Sequence, residues 1–97
     1  MSSYDKLQKI KALGNDKRSK IIYLLLENEM MSFTQLHKEI PVNPQALIKH
    51  LRNLERANII ENVYKKHSGL RDREYSFYKL TEEGLSLVKL LIEKGIY

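Results

Sequence analysis

Two prolines three residues apart, Pro41 and Pro44, separate two short stretches of helical apolar spacing, and no other feature constrains the chain as strongly. Proline lacks a backbone N–H and biases the residue before it towards extended geometry. A helix carrying Leu36 and Ile40 as an i, i+4 pair must therefore stop near Ile40. Asn43 then offers a capping side chain, and Pro44 falls in the first turn of the next helix, where a missing donor costs nothing. Leu47, Leu51 and Leu54 recur at i, i+4, i+7 along that helix as one apolar stripe. Gln45, Ile48, Lys49, Arg52 and Arg56 are left largely off the stripe. Two short helices joined by so tight a turn, the second with a polar and basic outer side, make a helix-turn-helix.

The remaining elements follow from similar signals. Ser3 caps a helix over 3–13 with Tyr4, Leu7 and Ile10 on one face, and Gly14 ends it. Asn15 caps a second helix over 16–27, which the run Ile21, Ile22, Leu24, Leu25, Leu26 makes apolar on nearly every side and so central to the domain. Met30 to Phe33 is a candidate short strand, and Thr34 a candidate cap for a third helix beginning at Gln35. Residues 59–66 and 73–80 are rich in β-branched and aromatic types, which predicts a hairpin with a basic tip. Thr81 caps a last helix over 82–94, with Glu82 and Glu83 at its positive end and Gly95 as terminator. The expected fold is mainly α with a β-hairpin, α-α-α-α-β-β-α, with an optional strand before the third helix. With 97 residues the chain has room for one such domain, 1–97.

Composition narrows the chemistry. There is no cysteine, hence no disulfide, thiolate metal site or cysteine nucleophile. His37, His50 and His67 show no paired ligand spacing, so no metal and no cofactor is expected. His50 reads as a structural histidine packed beside its helix and bonded to backbone, and His37 and His67 read as surface residues. No Ser/His/acid cluster, carboxylate pair or phosphate-cradling glycine loop is visible, so the chain is not expected to be an enzyme. No apolar run approaches a membrane span, and a cytoplasmic location is expected. The formal net charge is +5, and residues 43–79 hold eight of the lysines and arginines against four acidic residues. Such a stretch suits phosphate, an acidic protein or anionic lipid.

Several short motifs in order resemble those of the ArsR/MarR-type winged helix-turn-helix regulators. Leu13-Gly14 with Arg18 is similar to the family's LGxxxR, and Phe33-Thr34-Gln35-Leu36 to its lead into the first helix of the motif. His50-Leu51 with Leu54 resembles HLxxL, Ala57-Asn58-Ile59-Ile60 resembles AGLI/V, and Tyr78-Lys79-Leu80-Thr81-Glu82-Glu83-Gly84 resembles YxLTxxG. Asn58 stands where the family usually has glycine, a tolerable exchange because asparagine also accepts left-handed geometry. The third-helix cysteine ligands of the family's metal sensors are missing.

The resemblance implies a sequence-specific, double-stranded DNA-binding transcriptional regulator acting as a homodimer. Helix 44–57 is the expected recognition helix, with Pro44, Gln45, Ile48, Lys49 and Arg52 facing the major groove. In that groove Gln45 suits an adenine edge, Ile48 thymine methyls, Lys49 guanine or phosphate, and Arg52 backbone phosphate. Lys65, Lys66, His67, Arg71 and Arg73 on the wing, 65–73, would meet phosphates or the minor groove. On the last helix Leu87, Val88, Leu91 and Ile92 spread over a broad arc, wider than a small domain covers. Together with Tyr4, Leu7 and Ile10 they form the expected dimerisation surface. The alternatives are a winged-helix module that binds protein, and an architectural protein that coats DNA. The operator, the regulated genes, the sign of regulation and any effector are not written in the sequence.

Overall fold

The computed structural model describes residues 14–64 and 76–95. The expected helix 3–13, with Tyr4, Leu7 and Ile10, lies outside the described residues, as does the hairpin tip with Lys65, Lys66, His67, Arg71 and Arg73.

Helix α1 spans Asp16–Glu27 and is capped, as expected, by Asn15, whose Oδ1 accepts from the N–H groups of Lys17 at 2.9 Å and Arg18 at 3.2 Å. Ile21 and Ile22 are fully buried, and Leu25 nearly so. Strand β1, Met31–Ser32, runs directly into α2, Phe33–Glu39. The cap of α2 is Ser32 and not Thr34, so the helix starts two residues earlier than its sequence suggested. Ser32 Oγ accepts from the Gln35 N–H at 3.1 Å, and Gln35 Oε1 accepts from the Ser32 N–H at 2.9 Å. This reciprocal box satisfies two donors at once. Thr34 has His37 three residues on, which cannot return the bond in that way.

The turn forms where the prolines put it. Ile40, fully buried, leaves helical geometry at ψ 111°, and Asn43 Oδ1 accepts from the Ala46 N–H at 2.8 Å to start α3, Pro44–Arg56. Helix α3 ends in a Schellman arrangement. The Asn58 N–H donates to Glu55 O at 2.9 Å and the Ile59 N–H to Leu54 O at 3.0 Å, with Asn58 itself at φ 58°. Asparagine thus occupies the left-handed position that the sequence assigned to it.

Strands β2, Ile60–Tyr64, and β3, Ser76–Leu80, pair antiparallel, with Ile60 opposite Leu80 and Tyr64 opposite Ser76. The short strand β1 is real and pairs on the far side of β3, Met31 opposite Tyr78 and Ser32 opposite Phe77. The sheet order is therefore β1-β3-β2. Helix α4, Glu82–Glu93, is capped by Thr81 and closes at Gly95, φ 72°.

One core joins these layers. Leu47, Leu51 and Leu54 of α3 are 0%, 1% and 0% exposed and meet Ile21, Ile22, Leu36, Ile40, Ile59 and Val88. Each such side chain contributes roughly 1.5–3 kcal/mol by leaving water. The architecture is a winged helix-turn-helix.

Candidate nucleic-acid interface

The leucine stripe fixes which side of α3 faces out. At about 100° per residue, Gln45, Lys49, Arg52 and Arg56 fall opposite the stripe, and all four are exposed. Pro44 is half-buried at the start of the same helix. Gln45, Ile48, Lys49 and Arg52 line one surface hollow, and Asn53 and Arg56 complete it. The structure thus brings together the expected recognition-helix residues. Asn53 and Arg56 join them; their i+4 and i+7 spacing from Lys49 was the available signal. Lys49 and Arg56 make no ion pair among the described residues.

Ile48 has two roles. It is half-buried and packs against the core, yet it borders both the outward hollow and a groove between α3 and the sheet. Phe33, Arg52, Glu55 and Tyr78 line that groove with it. Burial raises the Glu55 carboxyl above its usual range, and the Arg52 guanidinium opposes the shift. Burial also raises the Tyr78 hydroxyl, helped by the negative charge of Glu55 and opposed by Arg52. Arg52 is therefore partly balanced from within, unlike Lys49.

The histidines depart from their expected roles. His37 is no free surface residue. Its Nε2 lies 2.8 Å from Val42 O, and its ring is 6.0 Å from that of Phe33. The bond spans the turn between α2 and α3 and so helps set their angle. No sequence signal marks it, because it depends on the path the chain takes after Pro41. His50 packs half-buried beside α3 as expected, but among the described residues Nδ1 is buried without the anticipated backbone bond. Burial, then the charges of Arg18, Lys17 and Lys49, hold its pKa below the ordinary value.

Behind the interface, Thr81 locks the end of α3 to the start of α4. Its hydroxyl donates to Asn58 O at 2.6 Å and accepts from the Gly84 N–H at 2.8 Å, while its own N–H donates to Ile59 O at 3.0 Å. A Cβ on Gly84 would lie 2.1 Å from Ile59 O, so only glycine fits. Asn58 Nδ2 adds a bond to Glu83 Oε2 at 2.6 Å.

Residues 15–62, from the cap of α1 into β2, match the family described as bacterial regulatory protein, arsR family. The helix-turn-helix region is thus similar to the arsR-family domain. Nothing supports the MarR-type half of the resemblance. HlyU from Vibrio cholerae N16961 superposes on this chain with a TM-score of 0.74 at 26% identity, covering 94% of this chain and 91% of HlyU. A transcriptional regulator homologue from Pyrococcus horikoshii OT3 gives 0.73 at 26% identity, covering 96% and 89%. The reduced form of the regulator YodB from B. subtilis gives 0.76 at 23% identity, covering 98% and 89%, a likeness of fold. No curated protein matches the sequence. The chain has the fold of ArsR-family transcriptional regulators, and ArsR-family regulators bind DNA.

Among the described residues no helix is long and apolar enough to cross a membrane, and no cluster of three or more His, Asp or Glu is placed to hold a metal ion. On α4, Val88 is fully buried and Leu91 is 9% exposed, both in the chain's own core. Those two side chains are already used within one protomer. Leu87 is half-buried at the edge of the core, whereas Ile92 and Leu90 are 43% and 48% exposed.

Proposed function

We propose that the chain is a sequence-specific, double-stranded DNA-binding transcriptional regulator that acts as a homodimer. The observation that carries this is the division of α3: three leucines sealed in the core and Gln45, Lys49, Arg52 and Arg56 outside in one row. With α3 in the major groove, Gln45 near its N-terminus reads an adenine edge and Ile48 meets thymine methyls across its exposed half. Lys49 reaches guanine or phosphate. Arg52 takes a backbone phosphate, and Pro44 sets the angle at which the helix enters. Lys65, Lys66, His67, Arg71 and Arg73 of the wing add phosphate or minor-groove contacts, which supply affinity and little base choice.

Pairing of two copies uses Ile92 and Leu87 of α4 with Tyr4, Leu7 and Ile10, and the copies read an inverted repeat. YodB has been solved in reduced and diamide-treated forms. This chain has no cysteine and so no thiol for diamide to oxidise.

Selection of bound duplexes from a random pool tests the reading. A palindromic consensus, lost in a folded Lys49→Ala/Arg52→Ala variant, is expected. Binding without any enriched sequence points to an architectural coat, and no binding points to a protein partner. Unchanged affinity in the folded double variant removes α3 as the contact.

A further inference from the structure

Two rows of side chains face one another across the groove between α3 and the sheet. Ile48, Arg52 and Glu55 recur at i, i+4, i+7 along α3, a second stripe beside the leucines. On the sheet, Ser76 and Tyr78 are two residues apart in β3, and Asn62 of β2 stands directly opposite Tyr78. Alternation along the strands puts these three on one face. Helix α3 packs against β2, and the space left between the two rows is a cavity of about 350 Å³, to which Phe33 of α2 also contributes. That volume falls in the range of about 300–1,000 Å³ typical of small-molecule sites.

The groove has an apolar wall and convergent polar groups. Phe33 and Tyr78 are buried rings, and Ile48 is half-buried beside them. Neither the half-buried Glu55 carboxyl nor the Tyr78 hydroxyl has a hydrogen-bond or ion-pair partner among the described residues. Burial disfavours the charge on Glu55, and Arg52, exposed at the rim, opposes that only in part. A ligand that brings a positive charge and N–H donors satisfies both oxygens at once. A phosphate would meet the repulsion of Glu55, so the groove is no extension of the DNA face. A slot between a helix and a sheet, walled by two rings, suits a flat aromatic body.

We propose that this groove binds a small organic cation, an ammonium group on a flat aromatic ring system. The ammonium donates to the Glu55 carboxylate and the Tyr78 hydroxyl, while the ring lies against Ile48, Phe33 and Tyr78. Ile48 and Arg52 border both this groove and the outward hollow of α3. With an ammonium on Glu55, Arg52 loses its internal counter-charge and turns wholly to the outer side, where it strengthens the phosphate contact. That consequence rests on the DNA-binding reading; the site itself does not.

The probe is tryptamine, compared with tryptophol, which has a hydroxyl in place of the ammonium, and with indolepropionate, which has a carboxylate. The chain contains no tryptophan, so the anisotropy of indole fluorescence follows the probe alone. Saturable binding of tryptamine is expected, with both counterparts at least about tenfold weaker. Glu55→Gln is expected to weaken tryptamine about tenfold and Tyr78→Phe, which keeps the ring, about threefold. Glu61→Gln, on the opposite face of β2, leaves it unchanged. Thermal melting establishes that each variant is folded. Absence of saturable binding, tryptophol binding as tightly as tryptamine, or tryptamine binding undiminished by Glu55→Gln each overturns the site. Saturating tryptamine is further expected to raise affinity for a random-sequence duplex about fivefold in the unmodified chain and not in Glu55→Gln. Duplex affinity that tryptamine does not move overturns the link through Arg52. A chain that binds tryptamine in this way but no duplex keeps the site and removes the DNA-binding reading.

Discussion

The junction around Thr81 and the outer side of α3 lie at opposite ends of one structural problem. At the junction, Asn58, Ile59, Thr81, Glu83 and Gly84 meet one another's polar groups, and a single added methyl has nowhere to go. On the outer side, Lys49 and Arg56 are exposed with no ion pair among the described residues, and Arg52 has only the nearby Glu55. Both regions are rich in polar groups. The difference is that the first is complete within the chain and the second is not. Internal completeness marks structure; cations held on a rigid scaffold without partners mark a surface that awaits one.

Substitutions can break or sharpen this contrast. Gly84→Ala is expected to act most strongly, because the new Cβ meets backbone and not a flexible side chain. A loss of roughly 3–5 kcal/mol in urea melts is expected, with DNA affinity per folded molecule unchanged. Leu51→Ala, which empties a fully packed site under α3, should cost roughly 2–5 kcal/mol by the same measurement. Asn58→Ala must hold left-handed geometry without the asparagine side chain and is expected to cost about 1–2 kcal/mol, whereas Asn58→Gly should be close to neutral. Equal losses for the two would show that the Glu83 bond, and not the φ of 58°, makes the difference.

The smallest effect concerns pH. His50 titrates below its ordinary value of 6.5 in the folded chain, from burial first and then Arg18, Lys17 and Lys49. Its neutral form is thus favoured by folding. The associated stability is fully present above the unfolded value and is lost as pH falls through it towards the folded one. His50→Gln should flatten the fall in melting temperature between about pH 7 and pH 5. An unchanged acid limb would assign that fall to other groups.

Much of the helix-turn-helix is legible in the sequence because its punctuation is local. Asn15, Asn43 and Thr81 each cap the helix that they precede, and Pro41 stops α2 where its chemistry requires. The start of α2 was harder, since Ser32 and Thr34 are both good caps and only the return bond from Gln35 separates them. Amphipathic spacing also shows that a face is apolar without showing what covers it. Val88 and Leu91 looked like surplus on a wide arc and are instead core, whereas Ile92 is the exposed remainder. His37 was missed for a related reason. Its partner Val42 O is brought near only after the chain has turned. Of the interface, the α3 face was legible from the stripe alone, but the influence of Arg18 and Lys17 on His50 depends on the packing of α1 on α3.

Ser32 is at once the last residue of β1, paired with Phe77, and the cap that starts α2. No spacer residue separates sheet from helix at that point, so a slip of one position in the pairing would also rotate α2 by a full residue. Ser32 thus couples sheet to helix directly, beside the packing of α3 on β2 and of α2 on β3. A push on one is delivered to the other without slack, as a tooth passes motion between two wheels.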